Sequence, residues 1–336
     1  ALNDALDYKR NSNQVLDAVP IGDLGELPTI SIADSLEFMP GVTGTRFRGN
    51  VDEIALRGLP QLFTMSTVNG RELTSGDGGR FVRYRIWPSN FFERASILKS
   101  PLPDQVEGGI AGTIELNTPS ALDYEGPTLS LDFRGQYSEF NKNNDLIDET
   151  GMRMNARLTK SFSTANGEAG LVLGLDYMDN PIVIGQAWLP SYSKRTILGE
   201  TAVVPNAAIF GNDTEDFERV AGLGVFEWRS NEGTVLKIDA LLTGTENPQH
   251  RTFLQINNLN APNRYVSADI QGGALQSGTL RNLLVLSRFE DLDRTDDAYM
   301  IGANLKKSFD HWNLELDGYM SQTEVDFQLM RPLFRT

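Results

Sequence analysis

Three arginines, Arg80, Arg83 and Arg85, stand within six residues with no acid between them, and Arg46 and Arg48 precede them in an earlier loop. Guanidinium forks so grouped suit an anionic or hydroxyl-rich solute, since their geometry matches carboxylate and phosphate. The competing reading is structural. Buried arginines must be paired, and the downstream acids Asp132, Asp176 and Asp239 fall at positions that would face them; this pairing is the expectation. Tyr84 and Trp87, with Trp188 and Tyr192 farther on, are suited to stacking on sugar rings or aromatic chelators, although such aromatics are as often core residues. The run Asp291, Asp293, Asp296, Asp297 has oxygen ligands for calcium but lacks the glycine of an EF-hand loop, so a solvated loop is expected there. His250 and His311 are the only histidines. A nucleophile activated by a histidine base is therefore not expected, and no phosphate loop or dinucleotide fingerprint occurs. Neither an enzyme nor a cofactor is expected.

The 336 residues contain no cysteine, which excludes thiol catalysis, disulfide scaffolding and zinc-thiolate sites. Against 30 Lys and Arg stand 45 Asp and Glu, for a formal charge of -15, which argues against nucleic acid as a partner. No apolar run approaches the ~18 residues of a membrane-spanning helix. A closed barrel stays open, because its strands show lipid only alternate residues.

The elements that would position these side chains differ between two halves, 1–118 and 119–336. In the first, Ser31 to Met39 reads as a helix with Ile32, Leu36 and Met39 on one face. Ser31 with Asp34 forms a capping box, and Pro40-Gly41 is the stop. Strands are expected at Glu53–Arg57, Thr64–Val68, Arg71–Leu73, Arg94–Lys99 and Thr113–Asn117, with Asn69-Gly70 as a tight hairpin turn. The segment from Glu107 through Gly108 and Gly109 to Gly112 is too rich in glycine for an ordinary strand and predicts close approach of this backbone to the second half. From Pro127 onward, period-two alternation begins with Leu129, Leu131 and Phe133 against Ser130, Asp132 and Arg134, and recurs in seven long strands. Tight turns near 163–167, 230–233 and 310–311 alternate with long polar loops near 138–150, 179–216 and 246–294, short at one rim and long at the other as in outer-membrane barrels.

Ordered pieces of the first half resemble the plug of TonB-dependent receptors, in the type common in Caulobacter and sphingomonads. They are Ala5-Leu6-Asp7 with Lys9-Arg10, the run Val15 to Leu27, Ile32 to Val42 read as IADSLEFMPGV, Leu56-Arg57-Gly58-Leu59, Val68-Asn69-Gly70-Arg71, Lys99-Ser100-Pro101, and Val106 to Thr118 read as VEGGIAGTIELNT. The resemblance implies a mixed α/β plug inside an antiparallel transmembrane β-barrel of 22 strands, about seven of them in this chain. It also implies Arg57, Gly58, Asn69, Gly70, Arg71, Glu107, Gly108, Gly109 and Gly112 as structural residues of the plug, with Arg57 and Glu107 tying plug to barrel. Arg85 and Asn90 depart from the family, which usually has an acidic residue and a glutamate in that stretch.

Size supports the same reading. A plug of 118 residues is ~35 Å across, whereas seven tilted strands would close to only ~14 Å and 22 to ~44 Å. The chain is accordingly expected to be the amino-terminal part of a longer protein, and neither a signal segment nor a recognisable TonB box is seen. The implied function is TonB-driven import of a scarce solute, an oligosaccharide or a ferric chelate, across the bacterial outer membrane. The implied partners are TonB with its inner-membrane energising complex, the solute, outer-membrane lipid and a surface lipoprotein. A signalling or adhesion receptor of the same architecture is the alternative, and a glycan-degrading surface enzyme a third reading.

Overall fold

The computed structural model describes residues 2–20, 31–47, 50–74, 76, 78–79, 81–103, 105–124 and 126–335. Much of the Val15–Leu27 motif, together with Arg48 and Arg80, lies outside the described residues. The first half contains helix α1 (Leu2–Asn11), strand β1 (Leu16–Pro20), helix α2 (Ile32–Leu36) and strands β2 (Val42–Phe47), β3 (Asn50–Leu56), β4 (Thr64–Val68), β5 (Arg71–Glu72), β6 (Arg94–Leu98) and β7 (Gly112–Asn117). Five of these make a mixed sheet in the order β1-β6-β7-β4-β5, parallel only between β4 and β7, while β2 and β3 pair as a separate hairpin. The Ser31–Asp34 capping box forms, but α2 stops at Leu36, three residues before the predicted end. Pro40 disfavours helical backbone in the residue before it, and Gly41 turns the chain away at φ +81°. Met39 nonetheless stays buried with Ile32 and Leu36 in a core shared with Ile54, Leu56, Trp87, Phe91 and Ile114.

The second half is an antiparallel wall. Its strands are β8 (Thr128–Tyr137), β9 (Thr150–Thr164), β10 (Gly167–Trp188), β11 (Tyr192–Ile197), β12 (Glu200–Pro205), β13 (Ala207–Ser230), β14 (Thr234–Glu246), β15 (Gln249–Asn257), β16 (Tyr265–Gln271), β17 (Ala274–Leu280), β18 (Leu284–Ser308), β19 (Asn313–Met330) and β20 (Leu333–Arg335). The strand β15 continues β14 without a change of register, since Glu218 faces Glu246 and Glu215 faces Gln249 across β13. Similarly β20 continues β19 against β18. The wall therefore has the seven long strands that the alternation predicts, in the order β8, β9, β10, β13, β14/β15, β18, β19/β20.

Two of the predicted loops are corrected. Residues 179–216 and 246–294 are largely strand, because β10, β13 and β18 run far past the turns, and β11, β12, β16 and β17 form a four-stranded sheet of their own around Ile197, Val204 and Tyr265. Two prolines, Pro181 and Pro248, lie within these segments. In the structure each falls where a missing N–H is tolerated. Pro181 lies just past the last β9–β10 pair, Asp179 with Met152, and its carbonyl accepts from Asn141 Nδ2 at 3.1 Å. Pro248 lies in the two-residue gap between β14 and β15, and its carbonyl accepts from the Asp216 amide at 3.1 Å. At ~3.3 Å per residue and a tilt near ~40°, the 24 residues of β13 rise ~60 Å, well beyond an apolar band of ~25 Å.

The two wall faces differ as a barrel requires. Leu131, Phe133, Leu175 and Val220 point outward and are 72, 69, 68 and 62% exposed. Inward-facing Val172, Leu223, Val225, Leu241 and Met300 are buried in the same core as the plug helix. Gly174 lets the two halves touch, since a Cβ there would come within 3.2 Å of Phe91, and Gly170 makes room for the segment that follows the plug, since a Cβ there would come within 2.4 Å of Ala121. The molecule is thus a mixed α/β plug seated on the inner face of an antiparallel β-barrel wall.

Candidate functional site

The interface between plug and wall is built around two buried arginines. Asn69 and Gly70 take positive φ of 51° and 79°, the pair a type I′ hairpin turn needs. The turn is braced from both sides. Asn69 Nδ2 donates to Thr118 Oγ1 at 2.8 Å, and the Gly70 amide donates to Glu115 Oε1 at 2.8 Å. Burial pushes the Glu115 carboxyl above its usual range, while the donors around it act in the opposite direction. So held, the turn aims Arg71 across the wall. Its Nη1 donates to Asp239 Oδ1 on β14 at 2.7 Å, its Nε to Asp317 Oδ1 on β19 at 2.8 Å and its Nη2 to Asp317 Oδ2 at 2.8 Å. Between those strands lies Gly302 of β18, where an added Cβ would meet Arg71 Nη1 at 2.0 Å. The glycine leaves a slot in which the guanidinium lies across the sheet and reaches an acid on either side.

Arg85 makes the second link, from a 3-10 turn spanning Tyr84–Ile86. Its Nη1 donates to Glu215 Oε1 on β13 at 2.9 Å, and the guanidinium lies 3.9 Å from the centre of the Phe217 ring. The wall answers through the plug backbone as well. Arg219, held by Asp176 at 2.7 Å, donates to the Arg85 carbonyl at 2.7 Å, and Thr243 Oγ1 donates to the Ile86 carbonyl at 2.7 Å. The departure from the family pattern in this stretch therefore has a local solution, a plug arginine facing a wall glutamate.

Several expected solute-binding residues are not brought together. Tyr84, Arg85 and Trp87 are at most 2% exposed, which takes them out of a solvent-facing surface. The Tyr84 hydroxyl meets Ser66 Oγ, and burial drives the phenol pKa up. Arg83 pairs with Asp52 at 3.4 Å, and burial raises the pKa of that aspartate. Arg46 is exposed beside Asp34, at 3.7 Å, and Glu37. Of the acids expected to hold plug arginines, Asp239 takes Arg71, whereas Asp176 takes Arg219 and Arg153, both on the wall, and Asp132 takes Arg134 of its own strand. Trp188 stands on the inward side of the wall, edge-on to Phe253 at 5.4 Å, while Tyr192 is exposed on β11.

The expected ties at Arg57 and Glu107 are not made to the wall strands among the described residues. Arg57, in left-handed backbone at φ 55° ahead of Gly58 at 73°, donates to the Lys99 carbonyl within the plug, and Glu107 is exposed. The segment containing Gly108, Gly109 and Gly112 approaches the plug itself, not the wall. A Cβ on Gly109 would lie 2.5 Å from the Gly112 carbonyl oxygen, and one on Gly112 would lie 2.9 Å from that of Leu98. The acidic run is not a loop either. It belongs to β18, where alternation sends Asp291, Asp293 and Asp297 outward and Asp296 inward to Arg294 at 2.8 Å. Among the described residues no group of three acids or histidines converges as a metal site.

One row above the Arg85–Glu215 contact, the inward face carries a series that sequence reasoning missed. Asp213 of β13, Arg251 of β15, Glu290 of β18 and Arg331 between β19 and β20 stand at successive places across four strands. Arg251 lies 3.1 Å from Asp213, and Glu290 is approached by Arg251 at 3.6 Å, Arg288 at 3.3 Å and Arg331 at 3.3 Å.

A plug bolted by arginines to the inner face of a wall whose outer face is apolar defines a plugged outer-membrane-type barrel. The sequence agrees over its first third: residues 9–113 match the TonB-dependent Receptor Plug Domain. A search of curated proteins gives no sequence match. Similar solved structures include the siderophore receptor PirA from Pseudomonas aeruginosa, with 12% identity, 93% of this chain and 59% of that one covered, and a TM-score of 0.36. Another is a mutant ferric enterobactin receptor PfeA from the same organism, with 12% identity, coverages of 98% and 58%, and a TM-score of 0.41. A third is a double mutant of the Serratia marcescens hemophore receptor HasR in complex with its hemophore HasA and heme, with 10% identity, coverages of 97% and 61%, and a TM-score of 0.34. The chain spans less than two thirds of each.

Proposed function

We propose that this chain supplies the plug, residues 1–118, and wall strands, residues 119–336, of an outer-membrane importer. Solute enters from the long-stranded rim and binds above the plug, and TonB, energised from the inner membrane, pulls on the plug's amino end to open a path. The observation that carries this reading is the plug itself, a folded domain packed on the inner face of the wall and fixed there by Arg71 and Arg85. A receptor that only bound or adhered would have no need of a removable stopper. The solute is a ferric chelate or an oligosaccharide.

The test is uptake by cells carrying the full-length receptor, with labelled ferric chelates in one arm and labelled oligosaccharides in the other, with and without TonB. Accumulation that needs both receptor and TonB supports import and identifies the arm. Surface binding without TonB-dependent accumulation overturns it in favour of the signalling or adhesion receptor.

A further inference from the structure

The β2–β3 hairpin of the plug is irregular at one residue. Thr45 faces Glu53 and Arg46 faces Val51, so Asp52 is the extra residue of a β-bulge. A bulge bends its strand and re-aims a side chain. Here it breaks the alternation of β3: Asn50, Val51 and Asp52 are buried in succession, and only from Ile54 to Leu56 does every second residue turn inward again. The result is a carboxylate turned into the molecule, with Asp52 only 3% exposed. A bulge that served the bend alone would need no ionisable group at this place.

Both halves of the molecule contribute to the surroundings of that carboxylate. Arg83, from the plug segment after β5, approaches it at 3.4 Å. The other charges that act on it are Arg85 of the 3-10 turn, Glu215 of β13 and Asp296 of β18. Arg85 donates to Glu215 at 2.9 Å and Arg294 to Asp296 at 2.8 Å, so the cations of this joint are divided among three buried acids. Among the described residues Asp52 Oδ1 has no hydrogen-bond partner, and neither has Glu215 Oε2. An ionised carboxylate with a bare oxygen is costly in such a place, and two like charges beyond it add repulsion. Burial accordingly raises the Asp52 pKa, with Asp296 and Glu215 acting in the same direction and Arg83 and Arg85 against it.

From the bulge and its surroundings we infer that Asp52 is a proton-operated joint between plug and wall: the neutral acid seats the β2–β3 hairpin firmly, and ionisation loosens it. The sign follows from linkage. A carboxyl raised in the seated form contributes stability that is fully present below its ordinary 3.8 and lost as pH rises through the raised value. The seat is therefore tightest in acid and easier to move near neutral pH. This is a property of the resting plug and does not depend on the import reading.

The experiment is amide hydrogen exchange in the full-length receptor in outer-membrane vesicles, without energisation, from about pH 4 to about pH 8 and corrected for intrinsic rates. Protection of the β3 amides is expected to fall about threefold or more as pH rises. The β1 amides, beside the lowered carboxyl of Asp17, are expected not to fall. Asp52→Asn is expected to flatten the β3 profile and to keep near neutral pH the protection that the unmodified receptor shows in acid. Protection of β3 that is constant or rises with pH in the unmodified receptor overturns the joint. So does a fall that persists in Asp52→Asn, which would assign it to another buried acid of the plug such as Glu115. The pH series needs no variant, so a substitution that fails to fold leaves the test intact. Failure of the import reading gives a different result, the absence of TonB-dependent uptake in cells whatever the β3 profile.

Discussion

Plug and wall use the same apolar residue types in opposite senses. In the plug, Ile32, Leu36, Ile54 and Phe91 are closed away in its core, and Arg71 and Arg85 are buried where the plug meets the wall. In the wall, Leu131, Phe133, Leu175 and Val220 face outward, and the charges, Asp176, Arg219, Glu215 and Asp239, are the buried ones. The plug is organised by a core that could be drawn from its own sequence. The wall is organised by ladder register, which brings Asp239 of one strand and Asp317 of another around one arginine of the plug. The lesson is that the wall's inner face is a mixed surface completed by the plug: Val172, Leu223 and Met300 join the plug's core, and beside them the two halves are held by charges that neither could bury alone.

The largest way to break this comparison is Arg71→Ala, which strands the Asp239 carboxylate in the interface and should cost ~3–5 kcal/mol in chemical unfolding of the plug. It should also raise passive leak of large antibiotics through the full receptor, and a silent substitution would mean that the plug is held by apolar contact alone. Second, the inside-out arrangement predicts unequal responses to one chemical change. Leu36→Ala in the plug core should lose ~3 kcal/mol, whereas Leu131→Ala on the lipid face should lose well under ~1 kcal/mol, since no protein cavity forms there. Equal losses in thermal melts would remove the distinction. Third, Gly302→Ala should push Arg71 out of its slot and reproduce the leak of Arg71→Ala in weaker form, by ~1–3 kcal/mol. A fourth, smaller effect is Ser31→Ala, which removes the α2 cap and should cost ~1 kcal/mol in plug stability with no change in wall strand content by circular dichroism.

The smallest concerns pH. The hydrogen bond from Lys9, then that from Lys99, holds the Asp17 carboxyl below its ordinary 3.8. A depressed carboxylate contributes stability that is present above 3.8 and lost as pH falls through the lowered value. Exchange of the β1 amides with deuterium should therefore gain protection with rising pH across that window, after correction for intrinsic rates, and Asp17→Asn should flatten the profile.

What could be read from the chain was what is local. Ser31 with Asp34, the Asn69-Gly70 turn and the alternation from Leu129 onward each lie within a few residues, and each forms. The site was different. Arg71 meets acids 168 and 246 residues away and Arg85 one 130 residues away, so neither pairing has a local signature. The arginine row escaped for another reason: Asp213, Arg251 and Glu290 fall in polar segments read as long loops, 179–216 and 246–294, which are largely strand. The glycines from Gly108 to Gly112 did announce a close approach, but a glycine records only that something is near, and here the neighbour was the plug's own backbone.

Pro248 has one further effect on how force would travel. Below it, the strand carries Asp239 and is clasped to the plug; above it, the same strand carries Phe253 and Arg251. Side-chain phase passes through the proline undisturbed, yet the ladder there lacks an amide to donate. The missing donor therefore falls between the stretch of strand that grips the stopper and the stretch that faces the mouth.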